Sequence, residues 1–290
     1  MREVIPPMSG RTLADMRRRY PDVFVPAWRR ERVSIAVAAI LLAILIYGMV
    51  AVGFVNPRLF NGLGELVSLF GMMLPPDPGS MDRAIIYLKA LGETLAIAFL
   101  GTMLAALLAF PMGFLAARNV VANRVVHFLS RRSLDTLRGI DTLIWALIWI
   151  NVVGLGPFAG VLALMVADLG SFGKLFSEAI EAADKRPVEG VVSTGGGPLH
   201  RVRFGILPEV LPVMASQVLY FIESNTRSAT IIGIVGAGGI GLHLAEQIRV
   251  LEFQQAAFII QLVLVALAAI DWISTRLRTA LIGTQHVGMT

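Results

Sequence analysis

Long uncharged apolar segments constrain the fold of this chain more than any other feature. Val33 to Phe54 contains 22 residues without a charged side chain, and Thr94 to Leu115 is likewise uncharged. A helix of about 20 apolar residues spans the hydrocarbon core of a bilayer. Apolar residues make up 56% of the chain and charged residues 16%, whereas soluble domains carry about 25% charged residues. The sequence therefore predicts an all-α integral membrane protein, with the lipid bilayer as its solvent.

The number of spans depends on the apolar run Thr142 to Val166, which Gly154-Leu155-Gly156-Pro157 interrupts with strong turn signals. A single span there would place Lys174 and the basic residues after it outside the cell. Two spans keep them inside, and 20 of the 25 Lys and Arg residues then lie on the inner side, as the positive-inside rule requires. Six spans with both termini in the cytoplasm are predicted: Val33–Phe54, Thr94–Leu115, Leu134–Val153, Phe158–Ile180, Val210–Val235 and Gln254–Ile273.

The segment between the fourth and fifth predicted spans, Lys185 to Pro208, contains several helix start and stop signals. Pro187 is suited to the first turn of a helix, where its missing N–H costs nothing. Glu189 would then also lie in the first turn, where its negative charge suits the helix dipole. Gly195 to Gly197 end this helix and Pro198 starts another. We expect two short helices that form a compact projection on the cytoplasmic face.

This segment resembles the cytoplasmic signature of the permease subunits of binding-protein-dependent ABC importers, which begins with Glu-Ala-Ala. Two glutamates compete for the first position. Glu181-Ala182-Ala183 has the better residues, but Pro187 stands where the signature has glycine. Glu189-Gly190-Val191 departs from the residues, but Gly195 follows six positions later and Leu207-Pro208 twelve and thirteen after that. Because spacing determines position in space, we favour Glu189.

Three further stretches resemble the phosphonate permeases of this family. They are Thr94 to Asn119, the pair Trp145–Ile148 and Gly154–Leu164, and Glu223 to Gly241. The resemblance covers about residues 85–285. Arg138-Gly139-Ile140-Asp141 departs from the family pattern.

The resemblance implies a type I importer permease (MetI-like) fold. The implied parts are a cytoplasmic tail (1–32), a first transmembrane helix (33–54), an external loop (55–90) with a surface helix at Leu59–Leu74, a five-helix core (91–283) and a C-terminal tail (284–290). A coupling helix at 187–203 docks on the ATPase. Its coupling residues are Glu189, Gly195, Pro198, Leu207 and Pro208.

The implied function is uptake of phosphonate, or of a phosphate- or phosphite-like oxyanion, by alternating access in the cell membrane. The implied partners are a second permease copy, two ATPase subunits and an extracytoplasmic phosphonate-binding protein. ATP and Mg²⁺ bind to the ATPase subunits, and no cofactor is expected in this chain. Two alternatives stay open: a permease for another solute such as methionine, and a secondary transporter that works without ATP.

Charges inside the predicted spans need a partner or a water-filled path, because a charge at mid-bilayer costs about 3 kcal/mol on insertion scales. Glu223 and Arg227 lie one helical turn apart in the fifth span. They form a structural ion pair, or they belong to a translocation path. The candidate path residues are Glu223, Asn225, Arg227, Ser228 and Thr230.

Two other groups of charges lie in predicted spans. Asp135, Arg138 and Asp141 recur every three residues, so we expect them to pair with one another on one face. Asp168 is an isolated charge in the fourth span, and the sequence assigns it no role.

Catalytic and metal-binding functions find no support in the sequence. It contains no cysteine, no P-loop, and four histidines without metal-ligand spacing. Gly236-Ala237-Gly238-Gly239-Ile240-Gly241 matches a dinucleotide fingerprint, but the surrounding strands and helices that such a site needs are missing. We expect these glycines to make a flexible outer turn. The basic residues lie between apolar runs rather than on one face, so nucleic-acid binding is not expected.

Overall fold

The computed structural model describes residue 18 and residues 32–54, 58–121 and 123–286. Within these ranges the chain is helical and contains no strand. The helices are α1 (Arg32–Ala51), α2 (Arg58–Met72), α3 (Met81–Ala116), α4 (Arg124–Arg138), α5 (Thr142–Val153), α6 (Pro157–Ala182), α7 (Lys185–Ser193), α8 (Pro198–His200), α9 (Leu207–Ile234), α10 (Ile240–Arg249) and α11 (Phe253–His286). A π-helical turn, Arg201–Ile206, joins α8 to α9.

The all-α membrane fold predicted from the sequence is confirmed. Among the described residues, five helical segments are long and apolar enough to cross a membrane, and a sixth span results if the bent pair α4–α5 counts as one. The chain divides into two units, residues 1–68 and 69–290. The first contains α1, one of the five candidates, and most of α2, where the helix expected at Leu59–Leu74 forms. Most of the predicted N-terminal tail lies outside the described residues.

The first helix of the second unit, α3, begins earlier than the apolar segment that predicted it. The helix starts at Met81 rather than Thr94, and the Ser80 hydroxyl caps it by accepting a hydrogen bond from the Arg83 amide at 3.3 Å. The length of the apolar segment did not predict the part of α3 before Thr94, because this part contains charged residues such as Asp82 and Lys89. Charged residues are compatible with a helix that extends beyond the hydrocarbon core.

The predicted helix Leu134–Val153 is wrong, because the chain breaks between α4 and α5 and bends by 87°. Gly139 ends α4, and the Asp141 carboxylate caps α5 by accepting a hydrogen bond from the Leu143 amide at 2.8 Å. A capping aspartate favours a new helix start over continuation of the old helix. The expected mutual pairing of Asp135, Arg138 and Asp141 is also wrong. Asp135 lies 3.8 Å from both Arg132 and Lys174.

The core of the second unit lies where α3, α6 and α9 meet. Small residues let α3 and α6 approach closely, as in many membrane helix pairs. A Cβ atom on Gly101 would lie 2.7 Å from Leu164 Cβ, and one on Gly113 would lie 2.8 Å from Phe176 Cβ. Ile232 of α9 is buried in the same contact. The three helices therefore form one packed body.

The glycine-rich segment Gly236–Gly241 is buried rather than flexible, so the expectation of a mobile turn is wrong. The Gly239 amide donates to the Glu93 carboxylate and the Ile240 amide donates to the Thr94 hydroxyl, each at 2.8 Å. These bonds satisfy the first amides of α10, which an isolated helix would leave without partners. Glycines let the backbone of this segment approach α3 closely, and the two hydrogen bonds fix the segment to α3.

Candidate functional site: the coupling loop and the polar core

The loop that joins α6 to α9 is held at both ends by carboxylates. Asp184 caps α7 by accepting a hydrogen bond from the Arg186 amide at 3.1 Å, and its own amide donates to Glu209 of α9 at 2.8 Å. The predicted start at Pro187 is therefore wrong by two residues, because Asp184 caps the helix. Glu189 consequently lies beyond the first turn of α7, where its charge gains little from the helix dipole.

Glycines turn the chain between α7 and α8, as predicted. Gly195 has φ of +80°, a conformation that glycine adopts without a steric penalty. The amides of Gly195 and Gly196 donate to the carbonyls of Val192 and Val191 at 2.9 and 3.0 Å. Pro198 then occupies the first turn of α8. The two short helices inferred from the sequence are confirmed.

The loop packs firmly against the membrane helices. A Cβ atom on Gly205 would lie 3.0 Å from the Cα of Val188, so α7 lies directly on the π-helical turn. Ile206 and Val210 are buried in the apolar core with Phe172, and Val188 packs against that core. Because Leu207 and Pro208 continue from the turn into α9, a displacement of the loop would be transmitted to α9.

The outer surface of the loop exposes apolar side chains. Leu199 is 83% exposed and Phe204 57% exposed. Glu189 is exposed on the same loop, and neither α7 nor α8 contains a buried residue. A shallow groove lies between the helices and is lined by Val191, Thr194, Gly195, Gly196, His200 and Phe204. Exposed apolar surface rimmed by polar groups is typical of a protein-binding site.

A second polar site lies inside the helix bundle and was missed by the sequence analysis. Thr102 of α3, Asp168 of α6 and Asn225 of α9 are all buried. The Asn225 amide nitrogen donates to the Thr102 hydroxyl at 2.7 Å and also to the Asp168 carboxylate. Asp168 therefore has a partner from another helix. The three side chains join the three central helices at one point.

Glu223 accepts hydrogen bonds from two arginines. Its carboxylate oxygens lie 3.1 Å from Arg227 on the same helix and 3.4 Å from Arg278 on α11. The Glu223 side chain is 12% exposed and that of Arg227 55% exposed. The predicted ion pair of Glu223 and Arg227 is present, and Arg278 was an unexpected third member.

The five candidate path residues do not share one face of α9. Asn225 is buried towards α3 and α6, whereas Arg227 lies on an exposed stripe with Tyr220 and Ile231. Ser228 is partly buried, and the Thr230 hydroxyl donates to the Thr226 carbonyl at 3.1 Å. Only Arg227, of the five, presents an exposed charged group on this surface.

The sequence contains local signals for two residues whose structural roles were not predicted. Asp184 precedes a short helical segment, which is the position of an N-cap, and Asp168 was visible as an unexplained charge. The partner of Asp168 lies 57 residues away and Thr102 lies 123 residues from Asn225. No local pattern connects such distant positions. Within the described part of the chain no cluster of His, Asp and Glu could hold a metal ion.

Long apolar helices around a buried polar cluster are features of a multi-pass membrane protein. Comparison with known sequences identifies the family. Residues 109–282 match the family described as "Binding-protein-dependent transport system inner membrane component", and the chain belongs to it. The chain is thus a multi-pass membrane permease subunit.

Named relatives are similar over nearly the whole chain. A putative phosphite transport system permease protein, HtxC of Stutzerimonas stutzeri, is 38% identical over 90% of this chain and 91% of its own length. The phosphite transport system permease protein PtxC of the same organism is 34% identical over 87% and 89%. The fold is similar to an inward-facing structure of the MetNI methionine ABC transporter, with a TM-score of 0.62, 20% identity, and coverage of 70% of this chain and 99% of that one.

Proposed function

We propose that this chain is the permease subunit of an ATP-driven importer for phosphite, phosphonate or a similar phosphorus oxyanion. The observation that carries the proposal is the loop of residues 183–206, called the coupling loop, which joins α6 to α9. One side of this loop exposes Leu199 and Phe204, and the other side packs through Val188 and Ile206 on the apolar core. Such a surface suits a docking partner outside the membrane. The names of the phosphite relatives supply the class of cargo.

Coupling follows from the connection between the loop and α9. Two ATPase subunits, which hold ATP and Mg²⁺, grip the loops of two permease copies. Their closure moves α7 and α8, and the tight contact of Gly205 with Val188 transmits this movement to α9. The path between the copies then opens to the other side of the membrane. Glu189, Gly195 and Pro198 belong to the docking surface, and Leu207 and Pro208 to the connection with α9.

Orientation is part of the same proposal. The coupling loop lies in the cytoplasm, where ATP is available, and an extracytoplasmic binding protein delivers the cargo to the other side. The predominance of basic residues on the side of this loop agrees with the positive-inside rule.

Arg227 is the candidate contact for the anion. Its side chain is 55% exposed, and its guanidinium group offers several planar donors, which suit the oxygens of a tetrahedral oxyanion. Glu223 holds it at 3.1 Å and limits its range of positions. Arg278 also bonds Glu223, so Glu223 retains a partner when Arg227 turns towards an anion.

The proposal is tested by reconstituting the chain with its ATPase and binding protein in vesicles. ATP-dependent uptake of phosphite, methylphosphonate, phosphate and methionine is measured in parallel. We expect at least one phosphorus oxyanion to be transported in preference to methionine. Transport of methionine alone would reassign the cargo, and uptake without ATP would refute the importer mechanism.

A further inference from the structure

A basic groove lies at the same end of the molecule as the coupling loop, and neither the coupling role nor the polar core uses it. It is formed where the chain leaves α3 and enters α4, and it has a volume of about 620 Å³. Its lining includes Arg118, Arg124, His127, Phe128, Arg131 and Arg132.

The groove lies at the boundary of the membrane-spanning helices. α3 ends at Ala116, two residues before Arg118. The Arg118 amide donates to Glu181, in the last turn of α6, at 2.9 Å. Asn119 donates to the Ile180 carbonyl at 2.7 Å. The ends of two apolar spans therefore place the groove at the level where lipid headgroups meet the protein.

The charges in the groove are only partly neutralised. Arg131 lies 3.1 Å from Glu181, and Arg132 lies 3.8 Å from Asp135. Arg118 donates from Nε to Nε2 of His127 at 3.3 Å. Among the residues that the structure describes, the guanidinium groups of Arg118 and Arg124 form no ion pair with a carboxylate. Two guanidinium groups are thus available to an external anion.

The surroundings of the groove suit a lipid better than a soluble anion. α4 exposes Val125 (72%), Phe128 (61%) and Leu129 (64%) beside its arginines. The Arg132 guanidinium lies 5.6 Å from the centre of the Phe128 ring. A phosphate in solution needs no such apolar surface, whereas acyl chains do. Basic side chains next to exposed apolar ones are typical of helices at a membrane interface.

We propose that this groove binds the headgroup of an anionic phospholipid, with Arg118 and Arg124 on the phosphate and Val125, Phe128 and Leu129 against the acyl chains. The bound lipid would brace the junction of α3, α4 and α6 beside the coupling loop. The inference does not depend on the identity of the cargo.

The test uses the full chain, purified and delipidated in detergent. Native mass spectrometry counts the bound molecules as phosphatidylglycerol or phosphatidylcholine with the same acyl chains is added. We expect the wild-type chain to retain phosphatidylglycerol preferentially. The double variant Arg118→Ala/Arg124→Ala should bind it on the order of tenfold more weakly. Arg83→Ala/Arg249→Ala removes the same charge away from the groove and should match the wild type.

Three results would overturn the proposal. The first is equal retention of the two lipids by the wild-type chain, and the second is undiminished phosphatidylglycerol binding by the groove variant. The third is displacement of the lipid by inorganic phosphate, which would make the groove a site for soluble anions. None of these results bears on oxyanion uptake, so the two proposals fail separately.

Discussion

Asn225 uses both hydrogens of its side-chain amide inside the helix bundle, one for Thr102 and one for Asp168. A buried carboxylate that loses its donor bears the cost of desolvation without compensation. We therefore treat Asn225 as the residue that makes Asp168 tolerable in the core. A translocation role for this residue would require it to leave both partners.

The first prediction concerns this cluster. Asn225→Ala should lower the free energy of unfolding by about 1–3 kcal/mol, because Asp168 loses its hydrogen bond. Thr102→Val, which removes only a neutral partner, should cost less, about 1 kcal/mol. Thermal unfolding in detergent measures both. The loss of stability is also measured for Asp168→Ala and for the double variant Asn225→Ala/Asp168→Ala. If the loss in the double variant equals the sum of the losses in Asn225→Ala and Asp168→Ala, the cluster is not a coupled unit.

The second prediction separates the two arginines that bond Glu223. Arg227→Ala should reduce oxyanion uptake with little loss of thermal stability, because Glu223 keeps Arg278 at 3.4 Å. Arg278→Ala is the matched control and should lower stability, since it removes the link between α9 and α11. Uptake assays and melting curves for both variants distinguish anion binding by Arg227 from a purely structural ion pair. Normal uptake by a destabilised Arg227→Ala variant would make the pair purely structural.

At the scale of the elements, steric contact determines where the glycine segment Gly236–Gly241 can lie. A Cβ atom on Gly241 would lie 2.0 Å from the carbonyl oxygen of Thr230, closer than any real contact. Gly92 of α3 has no atom within 4 Å of the corresponding position. Gly241 is buried in the first turn of α10, whereas Gly92 is exposed inside α3.

The third prediction uses this difference. Gly241→Ala should lower the free energy of unfolding by about 1–3 kcal/mol, the usual cost of overpacking. Gly92→Ala should be neutral or slightly stabilising, because alanine favours a helix interior. Yield of monodisperse protein and the melting temperature are the measurements. Equal stability of the two variants would mean that the segment is a flexible turn that rearranges freely.

The fourth prediction concerns the coupling loop. Glu189→Lys should leave the protein inserted and folded but disconnect ATP hydrolysis from transport, because Glu189 is exposed on the proposed docking surface. Gly190→Ala changes a neighbouring position with no atom within 4 Å and serves as the control. ATPase and uptake rates are measured in the same vesicles. Normal uptake by the Glu189→Lys variant would refute the chosen register of the signature.

The elements were predictable from the sequence wherever one local signal dominated. Apolar length predicted α1, and glycine and proline predicted the turn between α7 and α8. The break between α4 and α5 was not predicted, because Gly139 and Asp141 were interpreted as part of one apolar helix. The polar core was not predicted either, since its members come from three separate helices.

At the scale of the whole molecule, α9 joins the polar core to the coupling loop. The polar core fixes α9 to α3 and α6, and the coupling loop continues into the start of α9. Helix α9 thus connects the loop on which the ATPase would act with the exposed stripe that carries Arg227. The family followed from the sequence, but this connection became visible only from the packing of Val188 against Gly205.

The central claim is that residues 187–208 face the cytosol and are held by an ATPase. Because the chain contains no cysteine, Leu199→Cys gives a single label site at an 83% exposed position. A membrane-impermeant maleimide should label it in inside-out vesicles and not in intact cells, and the ATPase subunit should protect it. Labelling from the outside of intact cells, or undiminished labelling with the ATPase bound, would contradict the account.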